Sequence, residues 1–173
     1  VNNSAMLLYT WKTGGKATLL LHASATVRRG RAYLFLGRSG TGKSTHSRMW
    51  LENLEGCELL NDDNPVLRIE DGVPIVYGSP WSGKTPCWKN KRAALGGIVR
   101  IVRAPHNKAV RLSALESFAS LVSSCSSIVW DRKWKNEQED CVEKVVSICP
   151  GWNMECLPDA EAAEVCSKAV EGI

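Results

Sequence analysis

Between Gly72 and Leu115 the chain has no acidic residue, and nowhere does it have a Cys-x-x-Cys pair. It also lacks any apolar run near the ~20 residues that span a bilayer. Each absence excludes something. Seven cysteines, an odd number without paired spacing, argue against a disulfide framework and a zinc knuckle; they are expected to be incidental or buried thiols in a reducing cytoplasm. The opening "VNNSAMLLYTW" has no basic start, long apolar segment or small-residue cleavage site, so no signal peptide or membrane partner is expected. It has no initiator methionine either, and reads as a fragment or trimmed form. The seven tryptophans are scattered and read as core and surface anchors. With no recognised module or aromatic interleaving in the basic stretch, nucleic acid is not an expected partner.

What remains is a chain of 173 residues with 44% apolar and 23% charged residues, which predicts one globular domain. The formal net charge of +4 is unevenly spread: the acid-free stretch holds eight Lys and Arg, and the chain from Glu137 onward is acidic. A basic middle suits a phosphate-bearing or acidic partner, or forms a solvated sheet edge.

Apolar runs at "MLLYTW" and "ATLLLHAS", joined by "KTGGK", predict a hairpin. "RAYLFLG" is a third strand, and "KSTHSRMWLENLEG" a helix ending at Gly56. "CELLNDD" is a short strand, and "PVLRIED" with "VPIVYGS" a hairpin turning at Asp71-Gly72. "ALGGIVRIVRA" and "WNMECL" are further strands. "SALESFASLVSSC" is a helix with Ser113 and Glu116 as capping box. "DRKWKNEQED" is a loop or helix entry, "CVEKVVSIC" is helical, and Asp159 caps a closing helix. The fold class is α/β, a mixed β-sheet with flanking helices.

Two stretches satisfy the phosphate-loop pattern G-x-x-x-x-G-K-[ST]: "GRSGTGKS" at 37–44 and "GSPWSGKT" at 78–85. The first follows a buried strand and opens a proline-free helix, as anion binding at a helix N-terminus requires. The second contains Pro80 and precedes a poor helix. The nucleotide loop is therefore assigned to Gly37, Ser39, Gly40, Thr41, Gly42, Lys43 and Ser44, with Thr45 continuing the first helical turn. Lys43 is expected to reach the β- and γ-phosphates, and Ser44 to offer its hydroxyl to Mg²⁺. The second stretch reads as a flap over the bound phosphate or a cap on the sheet.

A helix out and a strand back lead from Lys43 to Asp62 and Asp63. Side chains alternate along a strand, so one carboxylate is free for Mg²⁺ and the other for a hydroxyl awaiting phosphorylation. His22, at the end of an apolar run, reads as a structural residue or as one that tunes a base. His46 and His106 have weaker claims.

The order "LLHAS", "GRSGTGKST", "NDD", "GSPWSGKT" resembles the C-terminal domain of the HPr serine kinase/phosphorylase family, whose wider group includes phosphoenolpyruvate-carboxykinase-type P-loop folds. The resemblance runs from about Ala17 through Arg103. It implies that Asp62 is the base toward a substrate hydroxyl, that Asp63 is the Mg²⁺ ligand and that His22 sets the protonation of the reacting carboxylate. It also implies that Lys84, and secondarily Arg92, meet the transferring phosphoryl group. The family's metal-assisting Glu has no match here, and neither does its N-terminal domain. The function expected is Mg-ATP-dependent phosphotransfer to a hydroxyl, on a serine of a protein or peptide or on a small molecule. The alternative is a non-catalytic nucleotide-binding regulatory or assembly module. Assembly as a homo-oligomer is left open.

Overall fold

A computed structural model describes residues 2–83 and 85–172. In chain order its elements are α1 (Asn2–Thr13), β1 (Thr18–Leu20), β2 (Ala23–Arg28), β3 (Arg31–Leu36), α2 (Lys43–Asn53), β4 (Glu58–Asp63), β5 (Val66–Glu70) and β6 (Val73–Tyr77). There follow β7 (Arg92–Arg103), β8 (Lys108–Arg111), α3 (Ala114–Val122), α4 (Arg132–Ile148), β9 (Gly151–Cys156) and α5 (Ala160–Glu171).

The strands form one mixed sheet in the order β1-β5-β6-β7-β3-β2-β4, with β9 and then β8 branching from β7. Strand β7 makes the branch possible because it is 12 residues long. Its first residues lie between β6 and β3, and from Ile98 onward β9 replaces β6 as its neighbour. Where the register with β3 shifts, Gly96 is the extra residue, and a Cβ there would sit 2.9 Å from the Tyr33 ring. A side chain at this crossing would push the two central strands apart.

Both faces of the sheet are covered. Along β3, Ala32, Leu34 and Leu36 join the core under α3 and α4, while Tyr33 and Phe35 join the core under α2 and α5. That is the two-residue alternation of a strand buried on both sides. Trp50 of α2 is fully buried among Tyr33, Phe35 and Cys166. The hairpin turn is as expected: Asp71 and Gly72 both have positive φ, 48° and 80°, which a type I′ turn demands.

Two sequence expectations need correction. The predicted first strand is helix α1. Its buried or half-buried positions are Met6, Tyr9, Thr10 and Thr13, spaced as on a helix, while Leu7, Leu8 and Trp11 point outward. The apolar run therefore lies on the exposed face, and the inward side includes polar Thr10. The Trp134 indole donates from Nε1 to the Thr10 carbonyl at 3.2 Å, and it stacks so close to Gly14 that any Cβ there would overlap it. The run "ATLLLHAS" is also broken at Leu21-His22 into β1 and β2, which face different partners, β5 and β3/β4. Of the two readings of the charged segment before Cys141, the helix entry is the one observed: it opens a single helix, α4, capped by the Asp131 carboxylate accepting from the Trp134 amide at 3.0 Å. Strand β8 had no counterpart in the sequence reading; it pairs antiparallel with β9 as a four-residue edge.

Replacing Trp50 by alanine opens a cavity between α2 and the sheet. The expected loss is about 3–5 kcal/mol, read as a lower urea midpoint with an unchanged slope.

Candidate active site

Strand β3 ends at Leu36, and the chain turns through residues 37–42 into α2. The turn closes on itself: the Thr41 hydroxyl and amide both donate to the Arg38 carbonyl, at 2.8 and 3.2 Å. Gly37 is required here, because a Cβ would lie 2.6 Å from that same hydroxyl. Gly40 and Gly42 take φ of 79° and 111°, a left-handed backbone that other residues resist. The first bond of the helix runs from the His46 amide to the Gly42 carbonyl, at 2.8 Å. Among the described residues the amides of Gly40, Gly42, Lys43 and Ser44 meet no backbone carbonyl, so the head of α2 presents unpaired donors and the positive end of its dipole. From the end of β7, Arg103 donates to the carbonyls of Gly40 and Thr41 and braces the loop from outside. Ser39 and Ser44 are exposed and Thr45 is half-buried.

The Lys43 ammonium donates to the Gly37 carbonyl at 2.9 Å and the Arg38 carbonyl at 3.3 Å. It also donates to Nε2 of His22 at 3.0 Å. Because Nε2 accepts, the ring proton of neutral His22 sits on Nδ1, which lies 3.0 Å from the Asp63 carboxylate. Lys43, His22 and Asp63 thus form one chain from loop to carboxylate. Burial pushes the Lys43 ammonium below its ordinary range, against the pull of Asp63 and Asp62.

The two aspartates have different surroundings. Asp63 leaves the strand at φ 118°, half-exposed, with its second oxygen accepting from the Asn64 amide group at 2.9 Å. Asp62 is 2% exposed. One of its oxygens accepts weakly from the Thr85 amide at 3.4 Å, and the other, Oδ1, is buried with no partner among the described residues. A buried carboxylate oxygen without a donor is costly unless something else arrives to meet it.

The second glycine-rich stretch lies over this pair. Asn61, fully buried, donates from Nδ2 to the Trp81 carbonyl at 3.0 Å and reaches Ser79 Oγ at 3.3 Å, while its Oδ1 accepts from the Asn64 amide at 2.9 Å. The Cys87 thiol donates to the Leu60 carbonyl at 3.4 Å, and the Gly83 amide to the Asp62 carbonyl at 2.5 Å. Both ends of the loop meet at Gly78, where a Cβ would lie 2.1 Å from the Lys89 carbonyl oxygen. The stretch is a strap tied to β4, and Gly83 and Thr85 sit beside the carboxylates. Lys84 lies outside the described residues. Sequence reasoning missed Asn61; its only signal was an amide side chain directly before the two carboxylates in "ELLNDD".

Arg92 does not belong to this site. It opens β7 opposite Tyr77 of β6, near the start of β3, where Arg31 faces Ala94, a full strand away from Gly37, or roughly 17–20 Å at 3.3 Å per residue. There its guanidinium is held by Glu70 at 3.0 Å and by the Tyr77 hydroxyl. His106 is engaged outside this chain of contacts, paired with Glu155 at 2.8 Å. The seven cysteines are free thiols, and burial pushes those of Cys57, Cys141, Cys149 and Cys156 up to about 11.

Two cavities flank the loop. One, of about 790 Å³, lies toward α3 and is lined by His22, Arg38, Arg100, Ser120, Ser123 and Ser124 among others. The other, of about 500 Å³, lies toward α5 between Thr45, His46, Ile101, Leu157 and Pro158.

No protein-family model matches the chain, and no curated protein does. Among solved structures, the Hpr(Ser) kinase/phosphatase from Coxiella burnetii is similar, with a TM-score of 0.52, 12% identity and coverage of 88% of this chain and 88% of that one. The likeness is one of fold. The α/β architecture expected from the sequence, a mixed sheet flanked by helices and similar to the HPr kinase fold, is the architecture observed. Among the described residues no helix is long and apolar enough to cross a membrane.

Two measurements check the site's framework. Asn61→Ala is expected to cost about 1–3 kcal/mol, from the strap carbonyls left unpaired, and to speed amide exchange at residues 79–87 while the sheet stays protected. His46 is 3% exposed, accepts from the Trp50 indole at 3.1 Å, and is held neutral by burial with its pKa lowered to about 4. The unfolded chain, with an ordinary histidine, binds more protons between pH 4 and about 6.5. Stability is therefore expected to fall as pH drops through that window, by on the order of 3 kcal/mol, in chemical denaturation. His46→Gln removes that slope.

Proposed function

We propose that the protein is a phosphotransferase that moves the γ-phosphoryl group of Mg-ATP to a hydroxyl. The observation that carries the reading is a buried carboxylate oxygen on Asp62, without a partner among the described residues, beside a chain of contacts leading back to the phosphate-loop lysine. A loop that only gripped phosphate has no use for such a group. A hydroxyl placed against Asp62 Oδ1 supplies the missing hydrogen bond.

In this reading the amides of the loop and Lys43 hold the phosphates, with Lys43 leaving His22 to follow the γ-phosphate. Asp62 accepts the proton of the acceptor hydroxyl. The acceptor oxygen forms the new P–O bond as the bond to the β,γ-bridging oxygen breaks, and ADP departs with that oxygen. His22 keeps Asp63 oriented through Nδ1.

The residues present suit Mg²⁺. Among the described residues no three His, Cys, Asp or Glu side chains converge as a closed metal site. In this reading the exposed Ser44 hydroxyl and the half-exposed Asp63 carboxylate are the sparse oxygen donors that Mg²⁺ takes when phosphate and water complete its shell. Magnesium bound there supplies charge neutralisation on the phosphate oxygens. Lys84 and a serine of a protein or peptide, or a small-molecule hydroxyl, as acceptor belong to the same reading.

A second reading, a nucleotide-binding module without turnover, draws on one specific feature: the absence of any acidic residue between Gly72 and Leu115 to assist the metal. Transfer of labelled γ-phosphate to lysate proteins and small alcohols separates the two. Lys43→Ala and Asp62→Asn are expected to stay folded by circular dichroism and to lower transfer by about 10²–10⁴-fold or more. Lys43→Ala weakens nucleotide binding as well, and Asp62→Asn leaves it intact. Tight, Mg²⁺-dependent nucleotide binding with no transfer by the unaltered protein sinks the enzymatic reading.

A further inference from the structure

We propose that the cleft between the phosphate loop and α3 binds the phosphoryl acceptor and selects an alcohol carrying an anionic group, either carboxylate or phosphate. The proposal rests on the phosphotransferase reading for the word acceptor, and on the cleft's own chemistry for its anion.

His22 joins the cleft to the carboxylate pair. Its ring lines the cavity and touches Asp63, whereas the second cavity is reached across Thr45 and His46 on the far side of α2. At about 790 Å³ the cleft is far larger than one hydroxymethyl group, so it receives more of the acceptor than its hydroxyl.

The charge is one-sided. Arg38, Arg100 and Arg103 line the cavity, and no Asp or Glu lines it among the described residues. Elsewhere the chain places arginines on carboxylates: Arg28 on Glu171, Arg48 on Glu52, Arg68 and Arg92 on Glu70. The three cleft arginines make no such pair among the described residues. Arg103 is committed to the loop carbonyls and Arg38 is part of the loop. Arg100 is the one held for something else. It alternates onto the α3 face of β7, and its Nε donates to Asn153 Oδ1 at 2.9 Å, which fixes the guanidinium plane and leaves its outer edge for a ligand. Glu116, which feels the Arg100 charge, is occupied by the Ser113 amide and hydroxyl in its capping box at 2.9 and 2.7 Å. The lining also includes Ser120, Ser123 and Ser124: the last two hydroxyls donate to the Ser120 carbonyl at 3.0 Å each, while Ser120 Oγ is buried with no partner among the described residues. A fixed guanidinium in an acid-free cleft suits an oxyanion and repels nothing but cations.

The test compares matched acceptors. Labelled γ-phosphate transfer is measured to glycerol and glycerol 3-phosphate, and to hexapeptides in which a serine is flanked by alanines or by aspartates. The anionic member of at least one pair is expected to be favoured roughly tenfold or more in kcat/KM, the scale of one charge-assisted hydrogen bond. The pair that shows the preference tells whether the anion belongs to a free metabolite or to a peptide. Arg100→Gln is expected to collapse the preference while leaving the Kd for a non-hydrolysable ATP analogue unchanged. Arg100→Lys restores part of it. Ser123→Glu, at an exposed helix end, collapses it independently should Arg100→Gln fail to fold.

Calorimetric binding of glycerol 3-phosphate and of the aspartate peptide, with the ATP analogue present, separates this proposal from the one beneath it. Binding that depends on Arg100 without any phosphotransfer overturns the phosphotransferase reading and leaves the anion site standing. Equal use of neutral and anionic acceptors, equal losses on both in Arg100→Gln, or no binding of either anionic probe overturns the anion site.

Discussion

The parallel pairing of β3 with β7 is the constraint on which the site depends. Its register sets Leu36, the last residue before the glycine-rich loop at 37–42, opposite Arg100. Both strands therefore end at one edge of the sheet, where the loop, the brace from Arg103 and the cleft arginine meet. On the other side of β3, strand β2 runs antiparallel to both β3 and β4, so that Phe35, Ser24 and Asp62 lie in one row across the sheet. The carboxylates are thus two strands from the loop, and His22, at the break before β2, spans the gap. A one-residue slip in either pairing would send Asp62 to the other face and separate it from the strap.

The strap shows how one buried amide organises a long loop. The Asn61 side chain is fully buried, and a buried amide must find several partners. It finds them in Ser79 and Trp81, which fold residues 78–91 back over β4. The stretch matches a phosphate-loop pattern, yet its glycines serve close approach: to the Lys89 carbonyl at Gly78 and to Asp63 at Gly83. The same four letters that make an anion cradle before a helix make a backbone crossing when no helix follows.

The basic middle of the chain divides in the fold. Lys89 and Lys91 both reach Glu58, and Arg92 reaches Glu70, at distances of 2.9 to 3.0 Å. Those exposed pairs are worth at most about 1 kcal/mol each, and they account for the sheet-edge part of the charge. Arg100 and Arg103 lie farther along the same strand, where helices and loop take the place of acids. One strand carries both structural and site-facing cations, and only its position in the sheet tells them apart.

What the sequence determined by itself is local and periodic. The buried strand before Gly37, the proline-free helix after Lys43, the Asp71-Gly72 turn and the Ser113-Glu116 capping box are each set by neighbours within a few residues, and each is present as expected. The pairing of loop and carboxylates was legible too, because a helix out and a strand back fix the return point. Tertiary structure alone decided the rest. Helix α1 was misread because Leu7, Leu8 and Trp11 face outward, while Trp134, far along the chain, claims the face with Thr10. The role of Asn61, the exclusion of Arg92 and the cleft around Arg100 depend on which strands become neighbours. Hydrophobic period reports which side of an element is buried, but the identity of its partner is set by contacts between distant segments, and no short window of sequence contains them.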